Sequence, residues 1–242
     1  MTTLVRIVVT SLLSLVLFSC NFDMNWNSGI KGNGNVVMET RDVTESFTTI
    51  KASEGLNVYI TQGSNEAITV EADENLQELI LTDIEEGVLK IHCKKQIGRA
   101  AAKKINVTFT ALSELKATSG SNVYTTNTIT SENLVLKSSS GSNMSVNVNA
   151  NALTCDSSSG SNIKVSGKTV SLVAEASSGS NIKAGNLKAE SSEVSASSGA
   201  NLTVNTSKAL VAKASSGGGV KYFGNPETVD TDKSSGGSIN KK

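Results

Sequence analysis

A glycine recurs at nearly constant intervals through the second half of this 242-residue chain, and that period limits its folds more than any other feature. The tetrapeptide Ser-Gly-Ser-Asn stands at 119–122, 140–143, 159–162 and 178–181, followed by SGAN at 198–201, SGGG at 216–219 and SGGS at 235–238. The central glycines, Gly120, Gly141, Gly160, Gly179, Gly199, Gly217 and Gly236, lie 21, 19, 19, 20, 18 and 19 residues apart. So steady a period marks stacked structural units rather than a linker.

Alignment on those glycines shows which side chains go inside. Three residues after each glycine stand Val123, Met144, Ile163, Ile182, Leu202 and Val220. Five after stand Thr125, Val146, Val165, Ala184, Val204 and Tyr222, with Tyr124, Ser145, Lys164, Lys183, Thr203 and Lys221 between the two rows. This is period two, a strand with one buried face. A second apolar row, Leu115, Leu136, Cys155, Ala174, Val194 and Ala212, stands five before each glycine, so another strand approaches the same corner. A coil of about 19 residues cannot bury its apolar face alone, but coils stacked at about 4.8 Å pair each strand with its equivalents above and below. The expected fold is all-β: a right-handed parallel β-helix, its hand taken from the general crossover rule. Asn122, Asn143, Asn162, Asn181 and Asn201 would then fall in register as an amide ladder, facing in or out.

Residues 34–116 hold most of the bulky apolar groups and most of the acid. Candidate strands are Phe47–Ala52, Leu56–Gln62, Ala67–Ala72, Val88–Cys93 and Ile105–Thr110, with a helical turn or short strand in Asp73–Thr82. This part is expected to run continuously into the solenoid and close its end, since a bare stack exposes unpaired backbone. The repeat coils then occupy 117–239 and a short tail 240–242.

The amino terminus reads as an address. Arg6 precedes an apolar run from Ile7 to Phe18, and Ser19 precedes Cys20. Residues 1–19 form a secretory signal too short to span a bilayer. Leu17-Phe18-Ser19-Cys20 resembles the lipobox of bacterial lipoproteins, in which the cysteine is acylated. Lipidated Cys20 would hold the mature chain at a membrane through the Asn- and Gly-rich tether up to residue 33. The expected location is the cell envelope, most simply the outer membrane, on its periplasmic or its outer face.

The run GIKGNGNVVMETRDVTESFTTIKASEGLNVYITQG, then ENLQELILTDIEEGVLKIHC, then the Ser-Gly-Ser-Asn coils, resembles the head GIN domain family, described as auto-transporter adhesins and common among lipoproteins of the Bacteroidota. Gly32, Gly34, Arg41, Phe47, Ile50, Gly55, Val58, Gly87 and Leu89 carry the match in the first half, and the repeat glycines with their Asn in the second. The resemblance implies a β-helical fold and an envelope location, and brings no catalytic residue to transfer.

Little in the sequence points to chemistry. Lys plus Arg and Asp plus Glu balance at 22 each, which removes the electrostatic footprint of a nucleic-acid binder. One histidine, His92, leaves few routes to a metal centre or imidazole catalysis, and no metal or cofactor is expected. Ser166-Gly167-Lys168-Thr169 ends like a P-loop but has Asn162 where the first glycine belongs, and Gly32-Asn33-Gly34 lacks the third glycine of a dinucleotide fingerprint. Cys93 and Cys155 could pair in an oxidising envelope, but the apolar row around Cys155 suits a free thiol. An outward row reads Lys116, Lys137, Asp156, Glu175, Ser195 and Lys213, which makes Asp156 and Glu175 neighbours on adjacent coils. The leading expectation is a non-catalytic envelope module that binds carbohydrate or another envelope polymer on the strip of Tyr124, Lys164, Lys183 and Lys221. The alternatives are a polysaccharide-active enzyme using Asp156 and Glu175, or a purely structural or sensory periplasmic module.

Overall fold

The computed structural model describes residues 29–242; the expected signal segment and Cys20 lie outside the described residues. Among the described residues seventeen strands carry the fold. In the first half they are β1 (Val36–Arg41), β2 (Thr49–Ala52), β3 (Asn57–Gln62), β4 (Ala67–Asp73), β5 (Ile80–Glu85), β6 (Val88–Cys93) and β7 (Lys103–Phe109), with a 3-10 helix over Glu74–Leu79. The repeats supply β8 (Glu114–Ala117), β9 (Asn122–Thr125), β10 (Ile129–Ser138), β11 (Asn143–Ser157), β12 (Asn162–Ala176), β13 (Asn181–Ala196), β14 (Asn201–Ala214), β15 (Gly219–Phe223), β16 (Thr228–Lys233) and β17 (Ser238–Lys241). They form a parallel β-solenoid of about seven turns with coils of about 19 residues.

Each coil has two corners of different chemistry. At the first, Ser-Gly forms a turn in which both central residues are left-handed, with φ of 46° to 52° at the serines 119, 140, 159, 178, 198, 216 and 235 and 69° to 76° at the glycines. The flanking N–H closes the turn, as from Ser142 to the Ser139 carbonyl at 3.2 Å, and these are the features of a type I′ turn. A Cβ built on Gly120, Gly141, Gly160, Gly179, Gly199 or Gly217 meets nothing within 4 Å, so backbone angle and not space demands glycine there. The serine after each of the first four glycines turns inward. Ser121, Ser142, Ser161 and Ser180 are fully buried, and their hydroxyls donate to carbonyls of the neighbouring coil: Ser142 to Ala117 at 2.8 Å, Ser161 to Ser138 at 2.7 Å, Ser180 to Ser157 at 2.6 Å.

The second corner has no repeated glycine. Along β11 buried and outward residues alternate until Asn151 and Ala152, where two residues in succession leave the interior before Leu153 re-enters it. The same slip falls at Val170–Ser171 in β12 and Glu190–Ser191 in β13. One extra residue lets the strand turn without leaving its ladder. The part of each long strand before the slip lies on one face and the part after it on the other.

The interior is a continuous apolar stack. Val123, Met144, Ile163, Ile182, Leu202 and Val220 are all buried, as are Leu115, Leu136, Cys155, Ala174, Val194 and Ala212. Ser192 in this core is satisfied by Thr206, hydroxyl to hydroxyl at 2.6 Å. At about 25 cal/mol per Å² of apolar surface, this shared burial between coils is the main stabilising term.

The first half joins the stack out of chain order. β2 and β3 lie between β6 and β7 on one side and β8 and β9 on the other, so the earliest coil is the second rung. The path through the stack does not follow chain order: the chain completes one rung, turns back to build the cap below it, and crosses over again at β8. The cap is antiparallel, β4 against β7 and β1, and β5 against β6. Asp73 locks it, but not as a helix cap. Its buried carboxylate accepts the N–H groups of Gly34 at 2.8 Å and Ala102 at 2.9 Å, tying two loops to β4. Those bonds, led by Ala102, hold its carboxyl below the ordinary value.

Candidate functional site

The face that follows the Ser-Gly corner is the most regular surface on the molecule. Two residues after the first five corner glycines the asparagines point outward, half-buried or exposed, and join side chain to side chain. The amide nitrogen of Asn122 donates to Asn57, Asn143 to Asn122, Asn162 to Asn143 and Asn181 to Asn162, each at 3.0 Å, and Asn201 reaches Asn181 at 3.5 Å. The ladder thus has a rung, Asn57, that belongs to the reinserted coil.

Beside it runs the row Asn106, Tyr59, Tyr124, Ser145, Lys164, Lys183, Thr203 and Lys221, each residue in register with the next. Tyr124, Lys164, Lys183 and Lys221 therefore share one strip, with Ser145 separating Tyr124 from Lys164 and Thr203 separating Lys183 from Lys221. The residue that sequence reasoning missed is Tyr59. Its ring stacks on Tyr124 with centroids 5.1 Å apart and planes at 27°. Lys104 lies over the Tyr59 ring at 5.2 Å from its centroid and pairs with Glu71 at 3.2 Å. Thr61 and Thr126 extend the platform, their hydroxyls 2.6 Å apart. Half-buried rings edged by hydroxyls, amides and a cation suit a ligand with an apolar face and a hydroxylated rim. The signal that could have found Tyr59 was the matching strings Asn57-Val58-Tyr59 and Asn122-Val123-Tyr124.

The opposite face carries the other candidates. Asp156 and Glu175 are register partners on β11 and β12, and Lys137 is the partner of Asp156 on the other side. Both carboxylates are exposed, and no cavity described here is lined by the two together. Glu114 is drawn down in pKa by Lys137 and Lys116, at 2.9 and 3.2 Å, which outweigh the opposing effect of its desolvation. His92 meets Asp83 at 2.8 Å on the surface of the cap. Cys93 and Cys155 are free, and desolvation pushes their thiols up to about 11 and about 12 respectively. β6 is separated from β11 by β2, β8 and β10, so the two cysteines stand four strand spacings apart along the stack, at least about 19 Å at 4.8 Å each. A disulfide needs Cα atoms within about 7 Å.

The sequence model of the family described as "Putative auto-transporter adhesin, head GIN domain" matches residues 46–226. The chain belongs to the head GIN domain family. Crystal structures share the head GIN solenoid at low sequence identity. One, described as a putative adhesin from Bacteroides fragilis, has a TM-score of 0.81 at 22% identity and covers 88% of this chain and 100% of its own. Another, described as a putative lipid binding protein from Parabacteroides distasonis, has a TM-score of 0.71 at 21% identity over 88% and 99%. A third, described as a putative adhesin from Parabacteroides merdae, has a TM-score of 0.65 at 18% identity over 88% and 98%. At these identities the likeness is one of fold. No curated protein matches the chain. The head GIN description is that of an adhesin and points to the cell envelope or surface. Among the described residues no helix is long and apolar enough to cross a membrane.

Proposed function

We propose that the protein is a non-catalytic binding module of the cell envelope, anchored by lipid on Cys20, that holds an extended carbohydrate along the asparagine-ladder face. The observation that carries this reading is the Tyr59–Tyr124 stack, set in a flat row of amides, hydroxyls and lysines. A pyranose ring presents apolar C–H groups on one side and hydroxyls around its edge. Two tyrosines on adjacent rungs offer the first a surface, and the flanking Asn, Thr and Ser offer the second its hydrogen bonds. The rungs lie in a continuous parallel ladder, so the platform is ordered before a ligand arrives and little entropy is lost on binding.

The test is binding of the soluble chain from residue 29 onward to a glycan array, with Tyr59→Ala and Tyr124→Ala beside it. Retained glycans should lose at least ten-fold in affinity with either variant, and no reducing ends should appear on incubation. Binding that survives both substitutions would remove the platform from the reading. For the anchor, Cys20→Ala should abolish incorporation of labelled fatty acid and release the protein from the membrane fraction.

A further inference from the structure

Register shifts within the long strands β12 to β14 lie beside a groove on the same coils. Shifts occur between Lys164 and Ser166 in the β12–β13 pairing, and between Ala184 and Lys188 and between Ala189 and Ser191 in the β13–β14 pairing. They follow from coil length, since the coil beginning at Gly179 has 20 residues and the next has 18. The surplus residues bulge, and Lys188 pairs with Asn205 immediately after Ala184 has paired with Val204. Bulges of this kind re-aim side chains and gather beside functional sites. Gly167, at φ +113°, lies in the same stretch, where a Cβ would stand 1.9 Å from the Val148 carbonyl oxygen.

The groove measures about 610 Å³ and runs along the second corner. On its floor Asn149, Lys168, Lys188 and Asn205 follow one another in register, two lysines between two amides on four successive coils. Among the described residues no carboxylate lies within ion-pair distance of Lys168 or Lys188. Glu190, on the wall, is engaged by Lys208 at 2.6 Å, and Glu132 at the rim accepts from Asn151. Lys164 and Lys183, also in register and also without an ion-pair partner, stand four and five residues before the groove lysines on the same strands. Like charges on directly opposed strand positions destabilise a sheet. Two such pairs stand on these two rungs with no carboxylate at ion-pair distance, whereas in the in-register lysine run of the other face Lys90, Lys116 and Lys137 pair with Glu85 or Glu114.

From this we infer that the groove binds an acidic polysaccharide, one carboxylate or sulfate being held between Lys168 and Lys188 while Asn149 and Asn205 take the hydroxyls of flanking sugars. Charge-assisted bonds to two ammonium groups supply the attraction, and the amides supply orientation. The spacing of about 4.8 Å between rungs is close to the rise of one sugar ring in an extended chain. A lipid surface fits less well, because most of the groove's lining side chains are polar or charged and Val170 is its one exposed large apolar side chain. The inference deepens the carbohydrate reading and rests on it, but uses a different set of residues.

The experiment measures binding of the soluble chain to polygalacturonate, to its fully methyl-esterified form and to phosphatidylglycerol vesicles, at low and at 0.3 M salt. Polygalacturonate should bind at least ten-fold more tightly than its uncharged ester and weaken with salt. The double variant Lys168→Gln/Lys188→Gln should lose ten-fold or more, while Lys51→Gln/Lys213→Gln, equal in charge but on the other face, should lose less than two-fold. Equal losses in the two variants would reduce the effect to net charge and overturn the inference. So would equal binding of the ester, or lysine-dependent binding to vesicles in preference to the polymer. If the lysine variant binds normally but Tyr59→Ala does not, the groove inference falls and the carbohydrate platform stands; the reverse result removes the platform and keeps the groove.

Discussion

Each corner turn asks two consecutive residues to be left-handed, and only the second is glycine. A left-handed conformation costs a residue bearing a Cβ roughly 1–2 kcal/mol. Gly160→Ala should therefore lower stability by about that amount and no more, because its Cβ meets nothing. Urea unfolding with an unchanged m-value would check it. Gly218 makes the opposite case. It occupies the place that Ser121, Ser142, Ser161 and Ser180 hold in earlier coils, so Gly218→Ser restores the repeat. A Cβ at 218 would nevertheless stand 2.3 Å from the Ala196 carbonyl oxygen, and backbone must move to admit it. The consensus substitution should destabilise, by more than Gly160→Ala does. Equal or higher stability in the same urea experiment would mean that the late coils relax freely.

The thiols offer a pH-dependent prediction at the same scale. Burial raises both above the ordinary thiol value, so the folded state favours the protonated form and its stability is complete below about pH 8.5. As pH rises from there towards 11 to 12, the unfolded chain ionises first and stability falls. Cys155→Ser should flatten part of that alkaline decline, read as denaturation midpoints between pH 8 and pH 11. In the native protein at pH 8 neither thiol should react with a maleimide within minutes, while both should do so in urea, as counted by mass spectrometry.

Between elements, the asparagine ladder and the buried Asp73 cap can be separated. Asn162 participates in two rungs, as acceptor from Asn181 and donor to Asn143, whereas Asn201 makes one long contact of 3.5 Å. At about 0.5–1.5 kcal/mol per hydrogen bond, Asn162→Ala should cost about 1–3 kcal/mol and Asn201→Ala clearly less. In the cap, Asp73 contributes stability that is present above the ordinary carboxylate pKa and lost as pH falls through its lowered value. Asp73→Asn should remove that part of the acid dependence. It should also speed hydrogen exchange in β1 and the loop at Gly34 while β11 to β13 keep their protection.

The repeat coils were legible because a short period forces equivalent residues onto equivalent rungs, and one strand's pattern identifies its neighbours. The cap was not. Val36–Arg41 shows no clean alternation, and its partner lies 27 to 37 residues on, at Ile68–Asp73, in an antiparallel sense that no period announces. Tyr59 was overlooked for the same reason. Its corner is Glu54-Gly55 rather than Ser-Gly-Ser-Asn, and chain order gives no hint that its coil is reinserted beside Tyr124. The groove escaped because Lys168 and Lys188 stand eight and nine residues after their glycines, and a simple alignment on the repeat puts them out of step.

Over the whole molecule the two ends of the stack differ. One is closed by antiparallel strands and the 3-10 helix; at the other, the last rung among the described residues is β16 with β17, and β16 is exposed along its entire length. A bare parallel edge is a template for another strand, and the fold blunts it by composition. The rows that hold Ala212 and Ala214 in β14 continue as Thr231 and Lys233 in β16, and the row of Tyr222 continues as Lys241. Positions that are apolar in the coils above become polar or cationic in the last rung of this chain. Adding a further coil there would bury ammonium groups without partners, which is costly. Restoring the apolar pattern with Thr231→Val and Lys233→Leu should remove that obstacle. The variant should remain folded, since both side chains stand in already exposed positions, but should associate end to end with rising concentration. Sedimentation velocity would show a dimer or longer species absent from the parent chain. A strictly monomeric variant would mean that the outward Asp230 and Asp232 protect this edge instead, and Asp230→Ser/Asp232→Ser in the same background would then produce the association.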